Sequence, residues 1–257
     1  MSWNNLRILA ALALVAAAPA AAQNFNARKF AISGSYTTSI ASIYQPSMGF
    51  LIGSGPVHQD LLSVSASNLL RKNDSLTAFG WDNYDFGDKN FHEWDAGIEY
   101  DMPISKSAKV RADYQHWSYP SGLLGTTDNV VMAGLDYSFR KVNLSADGRM
   151  QVTGPHSRGK MFSIRANRKH ELFKQSLGKR GYGLSLRHGP EYSHSKGFFG
   201  LDSPMDVRYD AILALSRGRY ALNFQLRPQR ALNPEIKQHG ESKHWNAYWN
   251  FSLSRSF

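Results

Sequence analysis

Hydrophobic and polar positions alternate along this chain with a period of two. Near its end, Trp245, Ala247, Trp249, Phe251 and Leu253 alternate with Asn246, Tyr248, Asn250, Ser252 and Ser254, and Arg255 interrupts the first series before Phe257. Successive side chains of a strand point to opposite faces, so this spacing predicts a strand with one aromatic–aliphatic face and one polar face. The pattern recurs upstream. Trp94, Ala96, Ile98, Tyr100 and Met102 oppose Glu93, Asp95, Gly97, Glu99 and Asp101; Val131, Ala133, Leu135, Tyr137 and Phe139 oppose Met132, Gly134, Asp136 and Ser138. Val142, Leu144, Ala146, Met150 and Val152 oppose Asn143, Ser145, Asp147, Arg149 and Gln151, and Tyr220, Leu222, Phe224 and Leu226 oppose Ala221, Asn223, Gln225 and Arg227.

Read throughout, the alternation predicts 12 strands, starting near Phe30, Asp60, Ser75, His92, Ala108, Asn129, Val142, Lys160, Gly181, Arg208, Tyr220 and His244. The predicted connections alternate in length. Short ones are Arg71–Asp74, Pro103–Ser107, Arg140-Lys141, Lys174–Arg180 and Gly218-Arg219; long ones are Gln45–Gln59, Phe86–Phe91, Ser118–Asp128, Thr153–Gly159, Pro190–Val207 and Pro228–Lys243. Prolines 46, 56, 103, 120, 155, 190, 204, 228 and 234 then fall at strand ends or in connections, where no ladder hydrogen bond is lost. Charged residues repeated on the polar face do not fit a soluble sandwich core, but they fit a wet lumen. The expected fold is all-β: a closed antiparallel transmembrane β-barrel of 12 strands. The chain has no cysteine, so it must hold itself by hydrogen bonding and burial, as a closed barrel does.

The N-terminus predicts export. Arg7 precedes the apolar run Ile8–Ala18, then Pro19 and Ala20-Ala21-Ala22, the layout of a cleaved signal segment. The run is too short for a helical span. The expected organisation is a signal segment, residues 1–22, and a barrel over 23–257 in the bacterial outer membrane. A last amphipathic strand ending in Phe resembles the C-terminal assembly signal of outer-membrane proteins. The resemblance rests on Trp249, Phe251, Leu253 and Phe257, and implies that the barrel-assembly machinery reads them. The stretch Ala78–Asp88, then Glu93-Trp94-Asp95, then Tyr114 to Tyr119-Pro120 resembles a family of exported proteobacterial barrels, covering about a quarter of the chain. That resemblance implies fold and location without an activity.

The formal charge is +10, and removing residues 1–22 would remove only Arg7 from that balance. With no basic helix, zinc pattern or RNA-binding signature, nucleic acid is not an expected partner. Outer-membrane lipid and lipopolysaccharide are, together with small polar solutes in the lumen. Inward parity assembles a basic set, Arg111, Arg149, Arg165, Lys169 and Arg187, with Arg149, Arg165 and Arg187 at similar predicted depth. The acidic set is Glu93, Asp95, Glu99, Asp101, Asp113, Asp136 and Asp147. One reading is a transverse field that selects small anionic or zwitterionic solutes for passive passage. Another is mutual pairing that plugs the lumen, giving a closed structural barrel or the membrane anchor of an envelope assembly.

A rim hydrolase is a third class. His92, His116, His156, His188, His194 and Ser195 lie at the right level, but no G-x-S-x-G elbow or H-E-x-x-H helix fixes a base beside a nucleophile, so no enzyme is expected. No cofactor or metal is expected either. His239, Glu241 and His244 read as solvated loop polarity, and Gly53 and Gly55 as loop flexibility. Trp81, Trp94, Trp117, Trp245 and Trp249 read as interface anchors, with Trp117 carrying inward parity.

Overall fold

A computed structural model describes residues 30–42, 55–87, 92–120, 127–155, 157–175, 181–198, 205–232 and 245–257. The expected signal segment, Gly53, His156, His239, Glu241 and His244 lie outside the described residues. Twelve strands run in chain order: β1 (Ala31–Ala41), β2 (Val57–Ser67), β3 (Ser75–Asp85), β4 (His92–Pro103), β5 (Ala108–Ser118) and β6 (Thr127–Phe139), then β7 (Val142–Thr153), β8 (Lys160–Gln175), β9 (Tyr182–Lys196), β10 (Met205–Arg217), β11 (Tyr220–Ala231) and β12 (Asn246–Ser256). Each pairs antiparallel with its neighbours, and β1 closes on β12 through Ser35↔Ser256 to Ala41↔Asn250. Closure leaves no strand of the barrel with an unpaired edge, as a lipid-exposed sheet requires.

The strands begin where the alternation predicts, all within three residues, because the period-two signal and the turn signals agree. A strand of 11 residues rises about 36 Å, or roughly 25 Å along the axis when tilted by some 45°, enough to cross the apolar layer. The outward faces form that layer's partner: Ile32, Ile40, Leu144, Ile164, Leu213, Phe224, Phe251 and Leu253 are all exposed. So large an apolar surface on a water-soluble monomer is rare. Against lipid it costs nothing.

One end carries the tight connections. Gly218 takes φ +59° in the two-residue β10–β11 turn, a left-handed conformation that glycine adopts without strain. At the β2–β3 turn, the Asp74 carboxylate accepts hydrogen bonds from the backbone N–H groups of Leu69, Leu70 and Arg71 and from the Tyr100 hydroxyl, all at 2.7–2.8 Å. Burial opposes its ionisation, but these bonds prevail and hold the carboxyl below its ordinary pKa. In bacterial barrels this short-turn end faces the periplasm.

Two expectations need correction. Residues 190–207 are not one long loop: β9 continues to Lys196 and β10 starts at Met205, so Pro190 lies inside β9. It is tolerated because the β8–β9 ladder skips there, from Arg165↔Glu191 to Arg168↔His188, where a missing N–H breaks no bond. Gly189 beside it is required by crowding, since a Cβ would sit 1.7 Å from the Ala166 carbonyl oxygen. Pro228 likewise lies within β11, opposite Ala247.

Candidate solute path through the lumen

Register decides which side chains line the interior. Following the pairs from Ser63↔Phe79 through Trp81↔Asp95 and Asp113↔Met132 places Glu93, Asp95, Glu99, Asp101, Asp113, Asp136 and Asp147 on the inward face. Arg111, Arg149, Arg165, Lys169 and Arg187 have the same inward parity. Trp94, Trp245 and Trp249 face outward, whereas Trp81 and Trp117 point in. The interface reading of those last two is therefore corrected, while the inward parity read for Trp117 holds. Trp117 packs edge-on against Phe198, ring centroids 5.9 Å apart.

The two charge sets do not form separate walls. Lys109 Nζ lies 2.9 Å from Asp101 and 3.5 Å from Asp136, and Arg111 lies 3.9 Å from both Glu99 and Asp136. Arg149 Nη2 is 3.5 Å from Asp147, which also accepts a hydrogen bond from Ser163. Arg165 donates from Nε to Glu191 at 2.8 Å. Nor do the three arginines share a depth. Arg149 pairs with Met161, and Arg165 with Glu191, so each step to the next strand moves the arginine four positions toward the turn end. Arg187 and Lys169 are paired to each other in register near that end, both are exposed, and neither makes an ion pair among the described residues.

Sequence reasoning missed the densest cluster. Arg208 and Arg165 both donate to Glu191, while Arg227 donates to Asp210 at 2.5 Å. Ser193 donates to Asp206. The loop expected over Pro190–Val207 hid Glu191, Ser193 and Asp206, whereas Arg208 and Asp210 lay in the expected strand, where their shared parity could have revealed them. Around this cluster the loop-side half of the lumen is filled: Val57, Asn83, Asp128, Gln151, Phe198, Arg208 and Gln229 are all under 2% exposed, apart from Arg208 at 2%. The turn-side half is open, with Ser33, Asn143, Lys169 and Arg187 exposed on the same inward face.

Among the described residues, Arg208 Nε and Nη1, both amide atoms of Gln229, Asn83 Nδ2 and Asp113 Oδ1 are buried without a protein hydrogen-bond partner. Beside the cluster lies a cavity of about 160 Å³, lined by Ala41, Gln59, Gln225, Arg227, Tyr248, Trp249 and Asn250.

These features define what the molecule is as a fold. It is a bacterial outer-membrane-type β-barrel. The barrel resembles LpxR from Salmonella typhimurium, with TM-score 0.50 and 9% identity over 86% of this chain and 99% of that one. It also resembles a KdgM porin (TM-score 0.48, 9% identity, 88% and 99% covered) and the COG4313 outer membrane channel from Pseudomonas putida F1 (TM-score 0.48, 11% identity, 91% and 98% covered). At such identities the likeness is one of fold alone. No family model and no curated protein matches the chain in sequence.

The described histidines of the hydrolase reading, His92, His116, His188 and His194, disperse over the barrel's outer face. His92 bonds Asp82 and His116 bonds Asn129, both outward. Ser195 faces the lumen, and adjacent His194 faces the other way. No Ser–His pair forms from these residues.

Proposed function

We propose that this barrel is a narrow outer-membrane channel for small polar solutes, with anions preferred. The observation that carries the reading is the open turn-side half of the lumen, where Ser33, Asn143, Lys169 and Arg187 are exposed on the inward face and two cations have no ion-pair partner among the described residues. The unpaired cations at the turn-side mouth, Arg187 and Lys169, supply the anion preference. The barrel-assembly machinery is the expected partner in biogenesis, through Trp249, Phe251, Leu253 and Phe257.

The buried loop-side half favours a second reading, a barrel closed at rest. Planar-bilayer recording of refolded protein in a salt gradient separates the two. Stable conductance with a reversal potential toward anions, moved toward cations in Arg187→Gln, supports the channel. Silence from protein whose migration is heat-modifiable, and therefore folded, sinks it and leaves the closed barrel. For catalysis, hydrolysis of phospholipid by the pure protein that disappears in His188→Ala would replace both readings with an enzyme.

A further inference from the structure

The charges of the lumen occupy only part of its circumference. Each of β4 to β10 turns at least one charged side chain inward, among them Glu99, Arg111, Asp136, Asp147, Glu191 and Asp210. Among the described residues, the inward positions of β12, β1 and β2 hold no charge. Their register pairs are Ser35↔Ser63, Thr37↔Ser254 and Ser39↔Ser252, continued by Gln59 and Asn250. Hydroxyls link this sector sideways: Ser35 Oγ to Ser63 Oγ and Ser65 Oγ to Thr77 Oγ1, each at 2.8 Å. Asn223 Nδ2, on β11, donates to Ser252 Oγ at 3.2 Å. From Ser256 to Tyr248 this uncharged stripe runs about 27 Å along β12 at the rise of a strand.

At its turn-side end the stripe meets the open vestibule, beside exposed Ser33. At its loop-side end it reaches the cavity of about 160 Å³, whose polar lining is Gln59, Gln225, Arg227, Tyr248 and Asn250. Pockets for drug-sized ligands hold roughly 300–1,000 Å³, so this one suits a smaller solute. Its one cation is already neutralised: Arg227 donates to Asp210 from Nε at 2.5 Å and from Nη2 at 3.4 Å. Gln225 Nε2 donates to the same carboxylate at 2.9 Å. A carboxylate only accepts, so the amide atom facing it is the donor, and Gln225 Oε1 is left to accept from a solute. The site therefore offers donors and acceptors without a free charge. Hydroxyl groups, which donate and accept, match that lining better than an ion does.

We propose that the uncharged sector of β11, β12, β1 and β2 is a binding track for uncharged polyhydroxylated solutes, ending in the Gln225–Asn250 cavity. The inference rests on the channel reading and names a solute class for it. Serine and threonine hydroxyls rotate to donate or accept as the solute requires. Successive hydroxyls of a polyol can therefore exchange partners along the stripe, each new bond replacing one that is lost. Asp210 acts as a positioning residue, because its bonds to Arg227 and Gln225 fix which atoms those side chains turn to a solute. Ion preference belongs to the charged strands across the lumen, so the two selectivities lie on different sectors.

Swelling of liposomes carrying the refolded chain tests the track, with ribitol and triethylene glycol as probes. The two have closely similar mass, but ribitol carries a hydroxyl on every carbon and the glycol only at its ends. Rates are taken after subtracting those of protein-free liposomes. Wild type is expected to admit ribitol faster than the glycol. The ratio of the two rates should fall about threefold in Asn250→Leu, and likewise in the double variant Thr37→Val with Ser254→Ala. Lys160→Gln, on the outward face of β8 opposite Met150, is the control and leaves the ratio unchanged. Heat-modifiable migration first shows each variant to be folded, and the near-isosteric double variant keeps the test alive if Asn250→Leu is not. Ion current with a ratio near one, or a ratio equal in wild type and both stripe variants, overturns the track and leaves the channel standing. Absence of ion current and of swelling by either solute overturns both.

Discussion

At the scale of single residues, buried charge decides what the lumen tolerates. Glu191 serves Arg165 and Arg208 at once, and Arg208 is almost fully buried. Glu191→Gln removes the only carboxylate among the described residues that is bonded to both, and breaking such a pair from one side costs about 3–5 kcal/mol. The expected result is a large drop in the urea midpoint of the vesicle-inserted protein. An unchanged midpoint would show that water reaches the cluster. Arg187→Gln, by contrast, removes a cation without an ion-pair partner among the described residues, so its stability should match wild type within about 0.5 kcal/mol while its ion preference moves. The pair of variants separates structural from conducting charge.

At the scale of elements, the barrel depends on its seam and its turns. Gly34 and Phe257 exchange two backbone hydrogen bonds of 3.0 Å, and a Cβ on Gly34 would sit 2.3 Å from the Phe257 ring. Gly34→Val should displace that ring and weaken the β1–β12 closure. Phe257→Ala should restore much of the loss, and a double-mutant cycle on unfolding midpoints would reveal strict additivity if the contact did not matter. In the β2–β3 turn, Asp74→Asn removes charge-assisted bonds to three backbone N–H groups and is expected to cost about 1.5–3 kcal/mol. Because folding lowers the Asp74 pKa, its contribution is complete above the ordinary carboxylate value and fades as pH falls through the folded-state value. Wild type should therefore lose more stability on acidification than Asp74→Asn does. Parallel pH profiles of the two would dispose of this account.

At the scale of the whole molecule, the lumen is divided into an open turn-side vestibule and a packed loop-side half. This asymmetry is testable because the natural chain has no cysteine. Asn143→Cys, exposed in the vestibule, should react with a hydrophilic maleimide at least tenfold faster than Gln229→Cys, at 1% exposure in the packed half. Equal rates would mean a continuous aqueous lumen and a less restrictive channel.

Much of this is legible in the sequence. Period-two alternation is local: it follows from the strand geometry of neighbouring residues, so strand number, facing and even the inward placement of Glu93 to Asp101 could be read from the chain. Pro190 misled that reading because whether a missing N–H matters depends on the partner strand, and only the β8–β9 register shows the ladder skipping there. Trp81 misled it because aromatic character alone does not tell lipid from lumen, whereas the parity of Trp117 already pointed inward. The pairing of Arg165 with Glu191, and the stepwise descent of Arg149, Arg165 and Arg187, were decided by register across strands far apart in sequence. Alternation sets which face a side chain takes; the stagger of a closed barrel sets its depth and its neighbours, and charge pairing is a matter of neighbours.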